Sequence, residues 1–74
     1  MNKARRKRLG EAFEKIGEVK DILDEVRDEE QDAYDNLPES FQNSERGEEM
    51  QNYIEMIDEA YGYLEDAESV VDQV

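Results

Sequence analysis

The fold is decided by residues 9–26, LGEAFEKIGEVKDILDEV, in which apolar side chains return at alternating steps of three and four residues. The series continues to the residue before Pro38, and its members are Leu9, Ala12, Ile16, Val19, Leu23, Val26, Ala33 and Leu37. Phe13 and Ile22 widen this stripe. Steps that average about 3.5 residues are typical of an amphipathic helix that packs as in a coiled coil. No stretch alternates with a period of two, so the sequence predicts no strand.

Capping and helix-breaking residues bound the helices. Asn2 suits the N-cap position, and Pro38 stops the first helix because its ring clashes with the preceding turn. The sequence therefore predicts helix one over residues 3–36, a loop over residues 37–44 and helix two over residues 44–72.

Helix two carries a second apolar stripe with the same alternation of steps. Its members are Met50, Ile54, Ile57, Tyr61, Leu64 and Val71, flanked by Tyr53, Ala60, Ala67, Val70 and Val74. Two long amphipathic helices joined by a short loop favour one antiparallel helical hairpin over residues 1–74. Because 42% of the residues are charged, independent or partly disordered helices are the alternative.

A single hairpin gives each apolar stripe only one partner helix. The side chains left half exposed by this arrangement are Phe13, Ile22, Tyr53 and Val70. Pairing two hairpins into a four-helix bundle covers these positions and enlarges the core. The prediction is therefore an all-α hairpin that forms a homodimer, with the core and dimer seam made by Leu9, Phe13, Ile16, Val19, Leu23, Val26, Leu37, Met50, Ile54, Ile57, Tyr61, Leu64 and Val71.

The composition excludes several classes of function. The chain contains no cysteine and no histidine, which removes disulfide scaffolds, thiolate metal sites, the usual general base and the commonest transition-metal ligand. The glycines are isolated from one another, so no phosphate-binding loop occurs, and two solvated helices offer no concave pocket. We therefore expect no enzyme, no catalytic residue, no cofactor, no metal ion and no small-molecule substrate.

Hydropathy and cysteine content bear on the location of the chain. No apolar run approaches the roughly 20 residues of a membrane span, and the N-terminus lacks the apolar stretch of a signal peptide. The lack of cysteine is common in proteins of a reducing compartment. We expect a cytoplasmic protein without a membrane partner.

Charge is divided unevenly along the chain. Nine basic residues stand against 22 acidic residues, which gives a formal net charge of −13. A candidate basic arm holds five of the nine, namely Lys3, Arg5, Arg6, Lys7 and Arg8. Residues 9–74 thus combine four basic with 22 acidic residues and carry −18. The arm either contacts nucleic-acid phosphates or neutralises carboxylates at the adjacent end of helix two, and the second interpretation is favoured because the acidic remainder repels phosphate.

Three blocks of the sequence resemble a group of small acidic proteins encoded by phages and prophages of Gram-positive bacteria. These blocks are the opening MNKARRKRL (1–9), the turn region DEEQDAYDNLPES (28–40) and the following SERGEEM (44–50). The function of that group is uncharacterised, so the resemblance implies a setting and no activity. The implied setting is the cytoplasm of an infected or lysogenic bacterium, with host machinery as the candidate partner.

Helix two carries a candidate acidic binding face. Its residues are Glu48, Glu55, Asp58, Glu59, Glu65 and Asp66. Rows of carboxylates along a rod can imitate the regular charge of a DNA duplex, so the predicted function is a protein-binding module that engages a basic host or phage protein, as a DNA mimic or inhibitor. Three alternatives stay open: an acidic surface that only confers solubility, a nucleic-acid-associated factor docked through the basic arm, and a purely structural dimeric scaffold.

Overall fold

The computed structural model describes residues 1–74 and contains helices only. Helix α1 spans Lys3–Asp35, the short helix α2 spans Glu39–Gln42 and helix α3 spans Glu45–Asp72. The two long helices run antiparallel and pack side by side into a rod with extents of 58 × 15 × 12 Å. The predicted all-α hairpin of two long helices is confirmed. The segment predicted as a loop contains the additional helix α2.

Side-chain caps close α1 at both ends. The Asn2 side-chain oxygen Oδ1 accepts a hydrogen bond from the backbone N–H of Arg5 at 2.8 Å, which confirms the predicted N-cap. At the other end, the Gln42 side-chain amide donates to the carbonyls of Tyr34 and Leu37 at 3.1 and 3.2 Å. These bonds satisfy acceptors that a helix end leaves free. No local sequence pattern predicts this hydrogen bond from Gln42, because Gln42 lies eight residues from Tyr34 in the sequence.

One row of side chains on each long helix makes the contact between them, and we call each an inner row. The α1 row repeats at steps of four and three and extends into the following turn. It consists of Leu9, Phe13, Ile16, Lys20, Leu23, Arg27, Glu30, Tyr34 and Leu37, all half-buried. The α3 row is Met50, Ile54, Ile57, Tyr61, Leu64, Glu68 and Val71. Val19 and Val26 lie outside this seam and are each 44% exposed, so the α1 side of the seam is displaced from the predicted stripe towards Phe13 and includes charged residues.

The tightest packing lies at the loop end of the rod. Gly47, Met50 and Ile54 are the buried residues, spaced about one helical turn apart on α3. Helix α2 packs on this part of α3. A Cβ atom at Gly47 would lie 2.7 Å from the carbonyl oxygen of Phe41 and still closer to that of Gln42. Only glycine therefore fits where α2 approaches α3.

Replacing Gly47 with alanine should destabilise the hairpin. The new methyl group overlaps the α2 backbone, and α2 can move away only by loosening the Gln42 cap. We expect the free energy of unfolding to fall by about 1–3 kcal/mol, the usual cost of overpacking. Urea unfolding followed by circular dichroism measures this change.

Gly62→Ala is the matched control for Gly47→Ala. A Cβ atom at Gly62 would meet nothing within 4 Å, so alanine should stabilise α3 by about 1 kcal/mol through its higher helix propensity. Effects of the same sign at both positions would contradict the role given to Gly47.

Candidate functional site

A lysine in the middle of the α1 inner row pairs across the seam. Lys20 Nζ lies 2.6 Å from Glu68 Oε1 and 4.8 Å from the centroid of the Tyr61 ring. The side chains of Lys20 and Glu68 are only 16% and 18% exposed. The hydrogen bond to Glu68 raises the pKa of Lys20, and the charge of Glu68 acts in the same direction, against the desolvation that lowers it. This pair is a contact within the hairpin, so Glu68 is not free for a partner.

Arg27 makes the second charged pair across the seam. Its Nε donates a hydrogen bond to Asp58 Oδ1 at 2.6 Å, and its Nη1 lies 3.8 Å from Asp28 Oδ1. The hydrogen bond to Asp58 is the main cause of a raised pKa of Arg27. Asp58 belongs to the predicted acidic binding face. Its carboxylate is paired with Arg27 within the chain, although the side chain stays 51% exposed.

The residues that directly follow inner-row positions build an acidic face on one side of the hairpin. One step along a helix rotates the side chain by about 100°, away from the seam. The acidic face consists of Glu14, Asp21, Asp24 and Asp28 on α1 and Glu55, Asp58 and Glu65 on α3, together with Glu48, which follows the buried Gly47 one turn before Met50; all are exposed. A shallow groove on this side is lined from both helices, with Gln31 of α1 and Gln51 and Glu55 of α3 among its residues. Both helices therefore contribute to one surface.

The residues that directly precede inner-row positions build an apolar face on the opposite side. It consists of Val19, Ile22 and Val26 on α1 and Tyr53, Met56, Ala60, Tyr63, Ala67 and Val70 on α3. The exposed fraction of its large side chains runs from 44% at Val19 to 65% at Tyr63. Because the helices are antiparallel, equal rotations from the two inner rows point to the same side of the hairpin. The result is an extended apolar surface of a kind that marks interaction sites in soluble proteins.

The basic arm, residues 3–8, lies at the end of the rod opposite the loop. All five of its cations are exposed, and none takes part in an ion pair of the hairpin. Arg5 and Arg8 line a shallow hollow with Met1 and Leu9. The interpretation that carboxylates at the end of helix two neutralise the arm is thus not realised as ion pairs within the chain.

The predicted seam residues divide between the inner rows and the apolar face. Those in the inner rows are Leu9, Phe13, Ile16, Leu23, Leu37, Met50, Ile54, Ile57, Tyr61, Leu64 and Val71. Val19 and Val26 lie on the apolar face instead. Ile22, Tyr53 and Val70 are exposed there, as expected for a lone hairpin. Phe13 is half-buried and lines a hollow with Val71.

The predicted acidic binding residues also divide into two groups. Glu48, Glu55, Asp58 and Glu65 share the acidic face, whereas Glu59 and Asp66 lie on the outer ridge of α3, turned away from α1. The α1 members of the face, Glu14, Asp21, Asp24 and Asp28, were not predicted. Each of these four residues directly follows an inner-row residue. The sequence could have predicted them only if the inner row of α1 had been known.

No group of three or more histidine, cysteine, aspartate or glutamate side chains is arranged to hold a metal ion. None of the helices combines the length and the hydropathy that crossing a bilayer requires. The chain matches no protein-family model, no curated protein and no solved structure. Its function therefore has to be inferred from the two faces and the basic arm.

The Lys20–Glu68 pair should make stability depend on alkaline pH. A pKa raised in the folded state means that the pair stabilises the fold below the ordinary lysine pKa of about 10.4 and that this contribution is lost as the pH rises through the raised value. In urea unfolding between neutral pH and pH about 11.5, Lys20→Met should be less stable than wild type at neutral pH. The difference between the two proteins should shrink at the alkaline end.

Lys7→Met is the matched control for Lys20→Met. Lys7 is exposed and takes part in no ion pair, so its loss should leave the pH profile of stability parallel to that of wild type. A constant gap between wild type and Lys20→Met over the whole range would contradict the role of the pair.

Proposed function

We propose that the chain is a non-enzymatic protein-binding module whose acidic face engages a basic surface of another protein. One observation carries this proposal. The acidic face gathers exposed carboxylates of both long helices on one side, and Arg27, the cation beside it along the middle of the rod, is already engaged by Asp58 and Asp28. The other six carboxylates of the face take part in no ion pair, and unpaired exposed carboxylates attract a basic partner and accelerate its association.

The density of charge along the rod supports DNA mimicry as the form of this contact. Without its eight N-terminal residues the 58 Å rod is about 46 Å long, and residues 9–74 carry a formal charge of −18 over this length, or one net negative charge per about 2.6 Å. One strand of a DNA duplex carries one negative charge per ~3.4 Å, and the two strands together one per ~1.7 Å. A basic groove that contacts one side of a duplex would meet a similar density of charge on this rod.

The setting we propose for this module is the cytoplasm of an infected or lysogenic Gram-positive bacterium. The support is the resemblance of residues 1–9, 28–40 and 44–50 to acidic proteins of phages and prophages. In that setting a basic host or phage protein is the partner class. A DNA mimic would inhibit a protein that binds or processes nucleic acid by occupying its DNA-binding surface.

Capture from a bacterial lysate tests the acidic face. The immobilised wild-type protein should retain a nucleic-acid-binding protein at ~50 mM salt and less of it at ~200 mM, and added duplex DNA should compete with it. The variant Asp24→Asn/Glu55→Gln/Glu65→Gln removes three carboxylates of the face. We expect it to retain about tenfold less of the partner.

The matched control removes three carboxylates from the outer ridge of α1, with Glu11→Gln, Glu18→Gln and Glu25→Gln combined. Its net charge equals that of the face variant, so a general charge effect would weaken both proteins equally. Retention should stay within about twofold of wild type if the face is the contact. Equal loss in both variants, or capture of no nucleic-acid-binding protein, would contradict the proposal.

We also propose that two hairpins pair into a homodimeric four-helix bundle. The support is the exposed apolar face together with a hairpin core in which only Gly47, Met50 and Ile54 are buried. The outline of the Cα atoms, 58 Å by 15 Å, leaves room on one face for the ~800 Å² per partner that a standard interface buries. Pairing through the apolar faces leaves both acidic faces outward and open to partners.

Light scattering after gel filtration tests the dimer. At micromolar concentration, wild type should show twice the chain mass of 8.7 kDa. The variant Ile22→Lys/Tyr63→Lys should run as a helical monomer, because these side chains are 57% and 65% exposed in the hairpin and only pairing would bury them. Glu18→Gln/Glu59→Gln, with the same change in net charge on the outer ridges, should stay dimeric. A monomer mass for wild type would refute the bundle.

A further inference from the structure

The apolar face is bordered by cations at the end that carries the chain termini. Arg8 directly precedes Leu9 and Lys15 directly precedes Ile16, so both lie on the side of the apolar face. Arg5 lies on the same side, because it lines one hollow with Arg8. None of the three makes an ion pair within the hairpin. This end of the face therefore presents unpaired positive charge beside exposed apolar side chains.

The loop end of the same face carries mainly the opposite charge. Glu29 and Glu49 directly precede the inner-row residues Glu30 and Met50 and so lie on the apolar side, with Arg46 as the one cation nearby. The Tyr53 hydroxyl, on the apolar face, donates to Glu49 Oε1 at 2.8 Å. This hydrogen bond, with the negative charge of Glu49, raises the pKa of Tyr53 and holds the carboxylate beside the face.

We infer that a second copy of the chain docks on the apolar face in antiparallel orientation, with its basic arm over the loop end of the first copy. The inference rests on the proposed homodimer and assigns its geometry and the role of the basic arm. A two-fold axis perpendicular to the rod relates the copies, so both arms meet an acidic loop end at the same time. Arg5 and Arg8 are the residues of the arm that make the contact.

The positions of the apolar residues fit this reversal. On α1 the apolar face consists of Val19, Ile22 and Val26, so Ile22 is its centre, within one turn of Val19, the midpoint of Lys3–Asp35. The pairs Lys20–Glu68 and Arg27–Asp58 fix the height of α3 beside α1 and bring Tyr63 level with Ile22. When one copy is reversed end to end on the other, the centres of the two apolar faces therefore lie together. The half of the face nearer the chain termini in one copy then contacts the half nearer the loop in the other.

The charges at the ends distinguish the two possible orientations. Reversal about Ile22 carries Lys15 to the height of Glu29 in the other copy and Arg8 close to the height of Glu49. A parallel dimer would bring Arg5 and Arg8 of both copies to the same end of the bundle, and like charges held near one another oppose association. Each chain also carries −13 in total, so the antiparallel contacts offset a repulsion that a parallel dimer would suffer in full.

Distances between spin labels decide the orientation. The chain has no cysteine, so single cysteines can be introduced at the exposed positions Ala4 and Ser40 for pulsed electron resonance. With the helical rise of 1.5 Å per residue, each label should lie about 45–55 Å from its counterpart in the antiparallel dimer, against about 15–25 Å in a parallel one. Short distances at Ala4→Cys and Ser40→Cys would overturn the inference.

A third label separates failure of the orientation from failure of the dimer. Glu18 lies next to the midpoint of α1, on its outer ridge, so labelled Glu18→Cys should give a distance below about 35 Å in either orientation. A short distance at Glu18→Cys with long distances at the two ends supports the antiparallel dimer. The absence of any distance between labels at Glu18→Cys would refute the proposed homodimer itself, and the inference with it.

Charge reversal tests the role of the arm. Arg5→Glu/Arg8→Glu should raise the dissociation constant of the dimer at least about tenfold at ~50 mM salt, and the difference from wild type should shrink at high salt. The exchange does not threaten α1, since the helix dipole favours anions at this end. Mixing this variant with Glu29→Arg/Glu49→Arg should restore a heterodimer.

Lys3→Glu/Lys7→Glu is the matched control for the arm. It makes the same change in net charge, but Lys3 and Lys7 lie on the side of the acidic face, so the dimer should weaken by less than about threefold. Equal weakening by both double variants would overturn the inference. Retardation of duplex DNA at ~50 mM salt by wild type but not by Arg5→Glu/Arg8→Glu, with an unchanged dimer, would assign the arm to phosphate groups and would overturn it too.

Discussion

The contact between the inner rows of α1 and α3 determines every surface of this chain. Two cations stand among its apolar side chains, and each reaches a carboxylate of the other helix: Lys20 at Glu68 and Arg27 at Asp58, both at 2.6 Å. Lysine and arginine can occupy such positions because their methylene stems cover apolar neighbours while their charged heads stay near water. This contact fixes which side of each helix faces inward. The residues directly before the inner-row residues then form the apolar face, and the residues directly after them form the acidic face.

Periodicity predicts two long antiparallel helices but cannot select the inner row of α1. Two inner rows can be built on Leu9, Ile16 and Leu23. One adds Val19 and Val26 and the other adds Lys20 and Arg27, and each of these pairs is spaced by seven residues as the leucines and Ile16 are. Hydropathy favours the valines. The structure has the cations inward, because Asp58 and Glu68 lie opposite them, and those carboxylates are 31 and 48 residues away along the chain. A choice made by distant residues leaves no signal in the local pattern.

The dependence of the inner row on distant residues also explains which parts of the candidate site the sequence could predict. The acidic residues of α3 were predicted, because a helix with so few basic residues exposes carboxylates whichever way it turns. The α1 members, such as Asp21 and Asp24, were missed because their side depends on the choice of inner row. Gly47 and Gln42 were missed because their roles arise from the close approach of α2 to α3 and to the end of α1. The exposure of Ile22, Tyr53 and Val70 was predictable from the width of the apolar stripes alone.

The charged pairs of the seam also set the alignment of the helices along the rod. Both inner rows repeat every seven residues, so sliding α3 by one repeat, about 10.5 Å, would bring apolar side chains against apolar side chains again. In one direction Arg27 would then face Gln51 and Lys20 would face Tyr61. In the other, Arg27 would meet Glu65 while Lys20 would lose Glu68 as its partner. Neither of these shifted registers keeps both ion pairs. Lys20 and Arg27 therefore favour the observed register of two helices whose apolar residues alone would allow several.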